Sequence, residues 1–312
     1  MEREFPEICK REKKNPLITI KDIPFPCNTV FNAGVAAFDG QTILLLRVEG
    51  LDGTSTLVLA RSYDGISFQA DSKAFMSHSS EEPYHIYEEA GVEDPRITFI
   101  NEYYYIAYTA YSEFGPRIAL ARTKDFRKVE RVALISQPVN KDAALFPRKI
   151  EGKYWRADRP VVGSSGHIWL STSRDLVHWG GNSMVLLKAR PRMWDSERIG
   201  IGPIPIETEK GWLLIYHGVK NTSGGKIYRL GVALIDIERP YKVIGRGIIP
   251  ILSPREPYER VGDVSNIIFS CGAILDKEDG IVRIYYGAAD TCLCLARAKL
   301  DDLLNICMEN SK

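Results

Sequence analysis

The chain has 312 residues, 45% of them hydrophobic, and 41 basic against 40 acidic side chains give a formal net charge of +1. That length and apolar share can bury a substantial core, while the even charge argues against a nucleic-acid footprint, which needs a basic face or stripe. No apolar run is long enough for a signal peptide or a bilayer span, so the chain reads as cytoplasmic, without a membrane partner. Cys9, Cys27, Cys271, Cys292, Cys294 and Cys307 form no CxxC pair and the five histidines no HExxH pattern. Reduced, mostly buried thiols are expected, and no metal site.

From the N-terminus, a charged stretch to Lys14 could serve as an arm, and a β-run follows over Thr42 to Val48. The most informative stretch is Gly91-Val92-Glu93-Asp94-Pro95-Arg96. Proline has no amide hydrogen for a central ladder, so Pro95 puts the two carboxylates at a strand entrance or sheet edge, where an acid can face a cavity. Neighbours on an extended backbone point to opposite faces, so one of the two is expected in any given site. The same string also fits a turn in which Glu93 or Asp94 pairs with Arg96. Beyond it, Ile97 to Ile100, the turn Asn101-Glu102 and Tyr103 to Thr109 read as a hairpin.

A weak repeat runs through the chain: a β-run ending in small or basic residues, then an aspartate, then often an aromatic. It occurs at Leu57 to Asp64, Ile118 to Asp125 and Ile168 to Asp175, with looser copies at Leu230 to Asp236 and Leu293 to Asp301. The aspartates recur at intervals of roughly 50 to 65 residues, enough for a four-stranded blade and its loops. Further β-runs, Trp212 to His217 and Ile281 to Tyr286 among them, lie between the markers, and helical periodicity is confined to the termini. Five copies predict an all-β, five-bladed β-propeller occupying residues 1–312 as one domain with short terminal extensions; a β-sandwich is the alternative. A propeller brings polar residues distant in sequence to one axial funnel.

Several segments, in order, carry a resemblance: Asn32-Ala33-Gly34 with Leu46 to Glu49, Gly91 to Arg96, and Asn140-Lys141-Asp142 with Leu145-Phe146-Pro147. Then come Gly152-Lys153-Tyr154 with Asp158-Arg159-Pro160, Trp194 to Gly202, Ile215 to Val219, and Tyr285 to Asp290. On these the chain resembles the glycoside hydrolase family 130 mannoside phosphorylases, which are five-bladed propellers. The resemblance implies cleavage of a β-mannosidic bond, β-1,4 or β-1,2, by inorganic phosphate as co-substrate, with release of α-mannose 1-phosphate and no cofactor. It implies that Asp94 is the sole general acid, acting through a mannose hydroxyl. Such an acid must be protonated near neutral pH, which calls for a dry funnel or nearby negative charge.

Phosphate is already a nucleophile and needs only cations to hold it. The resemblance implies Lys141, Arg159, Arg198 and His217 as its ligands, with Arg47 a further candidate. Arg47 and Arg198 could instead pair with Glu49 and Glu197, and Arg148 or Arg156 could stand in for Lys141 or Arg159. His217, with an ordinary pKa near neutrality, is expected to make phosphate affinity pH-dependent. Asn32, Glu93, Asp263 and Asp290 are candidates for mannose hydroxyls. Tyr103, Tyr216, Tyr286 and Trp194 could stack on sugar faces or fill the core.

Two other functions fit the fold. A hydrolase would need a second carboxylate to activate water and would leave the cations without a task. A non-catalytic sugar-binding propeller would keep the aromatics and lose the acid. Homo-oligomerisation is compatible with the charged N-terminal segment.

Overall fold

The computed structural model describes residues 8–163 and 165–309. Five antiparallel blades surround an axis, and short parallel pairings at Ser55/Gly91 and Gly166/Arg198 join the first blade with the second and the third with the fourth. Blade I comprises Thr29–Phe38, Gln41–Glu49, Ser55–Ser62 and Gln69–Ala70, and blade II Gly91–Ile100, Tyr103–Tyr111, Arg117–Thr123 and Glu130–Leu134. Blade III comprises Asn140–Leu145, Tyr154–Val162, Ile168–Ser173 and Gly180–Leu187. In blade IV the inner strand is broken into Arg198–Ile201 and Ile206–Thr208, followed by Gly211–Thr222, Gly225–Ile235 and Val243–Arg246. Blade V is Ile268–Asp276, Ile281–Ala288 and Cys292–Lys299, and its fourth strand is Lys10–Arg11, so the start of the chain completes the last blade and closes the ring. The helix Leu300–Met308 packs its buried face of Leu303, Leu304, Ile306 and Cys307 on the same region. Among the described residues no helix is long and apolar enough to cross a membrane.

The period-2 alternation of each strand explains where the core lies. Ile43 and Leu45 face blade II, whereas Leu44, Leu46 and Val48 face blade V. Repeated around the ring, this gives one apolar layer for each of the five blade interfaces instead of a single central core. The axis is left to polar residues.

The five repeat markers fall on the third strands of the five blades. Their aspartates end those strands as turn caps: Asp64 Oδ1 accepts from Ile66 N (2.8 Å) and Ser67 N (2.7 Å), and Asp175 Oδ1 from Val177 N (2.9 Å) and His178 N (2.8 Å). Asp125 and Asp236 do the same at Arg127 N and Arg239 N. The fifth, Asp301, sits in the first turn of the C-terminal helix, where a carboxylate suits the helix dipole. The Asn101-Glu102 hairpin is present, with φ of 47° and 68° that fit a type I′ turn.

One local feature aims the site. The inner strands of blades I, II and III each carry a bulge, at Phe31/Ala33, Glu93/Arg96 and Lys141/Ala144. Each bulge contains a short polar residue in the left-handed region: Asn32 (φ 43°), Asp94 (φ 50°) and Asp142 (φ 57°). Asn and Asp tolerate that conformation better than other non-glycine residues, and a bulge re-aims its side chain. The inner strands of blades I and II approach closely here, where a Cβ on Gly34 would lie 2.7 Å from Pro95 O.

Candidate active site

The three re-aimed side chains border a cavity of about 330 Å³ at the axis, whose lining also includes Arg47, Lys141, Arg159, Arg198, His217, Tyr228, Phe269 and Asp290. It divides into two clusters.

Blades I, II and V supply the acidic side. Asp94 Oδ1 accepts from Asn32 Nδ2 (2.9 Å) and Arg47 Nη1 (3.1 Å). Arg47 Nη2 reaches Glu93 Oε1 at 2.7 Å, and Lys141 Nζ reaches Glu93 Oε2 at 3.2 Å. Across the bulge both carboxylates reach Arg47, although, as the alternation predicts, one of the two faces the site. Only Asp94 lines the cavity; Glu93 lies behind it. Arg96 pairs with neither carboxylate. Fully buried, it donates to the carbonyls of Asp94 (2.9 Å), Ile201 (3.0 Å) and Gly202 (2.8 Å) and to Asp142 Oδ1 (3.4 Å), tying three inner strands together.

Blades III and IV supply the cationic side. Lys141 and Arg159 stand opposite each other in one ladder. Asp142 Oδ2 accepts from Arg159 Nε at 2.6 Å and lies 3.6 Å from His217 Nε2. Gly200 has no room for a Cβ, which would strike this same carboxylate and the His217 ring. Arg198 Nη2 donates to Tyr228 Oη at 2.5 Å, and the Tyr228 ring stacks on His217 at 6.1 Å. Of the competing arginines, Arg148 pairs on the surface with Glu207 and Arg156 is buried against Asp158, so neither lines this cavity. Glu197 is held by Lys226 and not by Arg198, and Glu49 is not the partner of Arg47.

Protonation differs from expectation at two residues. Burial raises the Asp94 carboxyl, but Arg47, Lys141 and Arg96 together with the Asn32 hydrogen bond outweigh it and hold the group below its ordinary value. In the ligand-free protein Asp94 is a carboxylate, not the protonated acid. Burial likewise drives His217 down to about 3, with Arg159, Arg96 and Arg198 reinforcing it against the pull of Asp142. His217 is neutral throughout the physiological range, so the expected titration near pH 7 does not arise from it. The carboxyl that does rise is that of Asp290, pushed up to about 7 by burial and by the charges of Asp94, Asp263 and Glu93, against Arg47.

The other sequence candidates are placed as follows. Arg47 lines the cavity with Nε on Ser55 Oγ (3.0 Å) and one contact from each terminal nitrogen to Asp94 and Glu93, so it also positions the acid. Asp263 is exposed and does not line the cavity. Tyr103 starts the second strand of blade II, at the end remote from Asp94, under Arg122 and Lys124. Tyr286 is fully buried, with its hydroxyl on Glu259 (2.9 Å). Trp194 stacks on the buried Tyr216, whose hydroxyl donates to Asp195 at 3.0 Å. None of these four aromatics lines the cavity, and the stacking role expected for them is not met. Asp142, Arg96, Tyr228 and Phe269 received no role from sequence; for Asp142 the signal was its place beside Lys141 in the quoted motif.

The arrangement is an acid with a second carboxyl beside it, facing three cations, with the imidazole of His217 neutral and its Nδ1 without a hydrogen-bond partner. It suits an anionic nucleophile delivered toward a neutral substrate held over Asp94.

Comparison with known proteins agrees with this geometry. Residues 7–309 match the family model of glycoside hydrolase family 130, described as beta-1,4-mannooligosaccharide phosphorylase. The chain is 35% identical to a beta-1,2-mannobiose phosphorylase of Listeria innocua, covering 95% of this chain and 97% of the relative. It is 34% identical to a beta-1,4-mannooligosaccharide phosphorylase of Ruminococcus albus, covering 98% and 94%. The solved structure of a beta-1,2-mannobiose phosphorylase from Listeria innocua with beta-1,2-mannobiose superposes with a TM-score of 0.88, at 34% identity over 97% of this chain and 99% of that one. With the family model spanning nearly the whole chain and relatives above 30% identity, this protein belongs to the glycoside hydrolase family 130 of mannoside phosphorylases.

Proposed function

We propose that the protein cleaves a β-mannosidic bond with inorganic phosphate, with inversion, releasing α-mannose 1-phosphate. The observation that carries this is that Asp94 shares one axial cavity with three cations, Lys141, Arg159 and Arg198. Phosphate held by these three attacks C1 as the C1–O bond breaks, and the Asp94 proton passes through a mannose hydroxyl to the leaving oxygen. Asp290 and Asn32, beside Asp94, take mannose hydroxyls.

Phosphate also supplies the missing protonation. Lys141 is one of the cations that keep Asp94 ionised; a bound dianion offsets that field and raises the carboxyl toward neutrality. The acid is thus armed only when the nucleophile is in place. A hydrolase would need a carboxylate opposite Asp94 to activate water. That position is cationic, and the carboxylate there, Asp142, is bound to Arg159 and Arg96. Six cysteines without CxxC spacing suit a reducing, cytoplasmic setting.

The test is incubation with β-1,2- and β-1,4-mannobiose, with and without phosphate. Formation of α-mannose 1-phosphate only when phosphate is present is expected. Equal turnover to free mannose in phosphate-free buffer would make the protein a hydrolase.

A further inference from the structure

The ladder between Asn140–Leu145 and Tyr154–Val162 separates two cavities. Lys141, Arg159 and Val161 line the funnel, whereas Asn140, Arg156, Asp158 and Pro160 line a second cavity of about 390 Å³ between blades II and III. Successive residues of a strand face opposite ways, so Lys141 opposite Arg159 serves one side and Asn140 opposite Pro160 the other. Val139 and Val161, 43% and 38% exposed, line both cavities and form a low apolar rim between them.

Deeper between these blades the interface is apolar, filled by Tyr105, Leu120, Ile135 and Leu145. At this cavity it turns polar without gaining net charge. Arg156 and Asp158 neutralise each other at 2.6 Å, and Ser171 Oγ lies 3.1 Å from Ser183 Oγ. Asn140, only 7% exposed, donates through Nδ2 to Asp158 Oδ2 at 3.3 Å, and its Oδ1 has no hydrogen-bond partner. The carboxylate fixes the amide in this sense, so the buried oxygen is left requiring a donor. The space far exceeds the ~30 Å³ of one water. Trp179 has the Arg156 guanidinium over its ring at 4.7 Å. Trp169 lines the cavity with no ring or cation stacked on it among the described residues.

Serine hydroxyls, a neutralised ion pair and an indole complement one class of ligand, a neutral pyranose with its hydroxyl edge and C–H face. A second phosphate would find no surplus cation here. We propose that the cleft between blades II and III is an additional saccharide subsite, which takes a distal sugar of an oligosaccharide whose reacting unit lies in the funnel, the chain crossing the Val139–Val161 rim. The identity of that sugar as mannose rests on the function proposed above; the subsite itself does not.

The experiment compares wild type, Trp169→Ala and Ser183→Phe. The second variant fills the cleft from an exposed position and keeps the test valid should the first fail to fold. Phosphorolysis of β-mannobiose and β-mannotetraose is measured in both linkages, and tetraose binding is followed by calorimetry in phosphate-free buffer on each protein carrying Asp94→Asn, so that neither phosphorolysis nor hydrolysis consumes the ligand. Wild type is expected to prefer the tetraose in kcat/KM. Either variant should reduce that preference and weaken tetraose binding about tenfold, the scale of one lost ring contact. Equal handling of both lengths by wild type, or variants that retain its length preference and tetraose affinity, would overturn the subsite. If no β-mannoside is phosphorolysed, the functional reading fails while calorimetry still decides the cleft: weaker binding by the variants supports it, and unchanged or absent binding removes it.

Discussion

Buried carboxylates meet arginines in two regions of this propeller, and the two are finished differently. At the periphery Glu88, Asp195 and Glu259, each 0% exposed, are tied off. Glu88 accepts from Tyr108 (2.6 Å), Ser79 N (2.9 Å) and Arg131 (2.6 Å). Asp195 accepts from Arg190 (2.8 Å), Arg246 (2.6 Å) and Tyr216 (3.0 Å), and Glu259 from Arg11 (2.7 Å), Tyr286 (2.9 Å) and the amide of Arg255 (2.7 Å). Each knot pins a long connection between blades, and that of Glu259 also fastens the strand that closes the ring. In the funnel the carboxylates are paired as well, but groups beside them are left incomplete: Asn32 Oδ1 and His217 Nδ1 have no hydrogen-bond partner, and Asp94, Asn32 and Asp142 occupy left-handed backbone. Satisfied networks stiffen a fold, whereas unsatisfied buried groups mark where a ligand completes them.

The largest break of this contrast should come from Asp94→Asn, which keeps shape and removes the transferable proton. Its kcat should fall on the order of 10²- to 10⁴-fold in a variant that still folds, and any stability lost with the Arg47 ion pair is read separately from the melting curve. Glu93→Gln, behind the cavity, should cost less in steady-state assays; the reverse ranking in two folded variants would move the acid to Glu93.

Glu259→Gln should give the opposite signature. It removes the buried charge on which Arg11, Tyr286 and the amide of Arg255 converge, a loss of about 3 kcal/mol in stability, read by urea titration. Activity per folded molecule should stay within about twofold, since a peripheral knot is outside the transition state.

Asp290→Asn sharpens the comparison through pH. The carboxyl is raised from 3.8 to about 7 in the folded protein, so its contribution is fully present below pH 4 and is lost as pH rises through about 7. Ligand-free wild type should therefore lose stability from pH 5 to pH 8 on the order of 2 kcal/mol more than the Asn variant, which cannot ionise. Parallel pH–stability curves for the two proteins would remove Asp290 as the strained carboxyl.

The smallest of these effects is expected from Arg198→Ala. Losing one charge-assisted contact should raise the KM for phosphate about tenfold while the KM for the mannoside changes little. Initial-rate kinetics with each substrate varied in turn would show it, and a selective rise in the mannoside KM would relocate the anion site.

What the chain states locally was legible without a structure. The five marker strands, the Asn101-Glu102 turn and the polar residues reserved for the axis follow from alternation, turn chemistry and spacing, and these are properties of short segments. The motif Gly91 to Arg96 pointed to Asp94, and Lys141, Arg159, Arg198 and His217 do reach the same cavity as Asp94. Tertiary structure decided the rest. Axial crowding of Gly34 against Pro95 accompanies the bulge that turns Glu93 and Asp94 toward one arginine. Tyr103 and Tyr286 look like sugar platforms in one dimension, but their side chains lie away from the funnel. The charges of His217, Asp94 and Asp290 were out of reach for the same reason: a pKa is set by burial and by the sum of neighbouring charges, and here those neighbours come from blades I to IV and the connection that follows them.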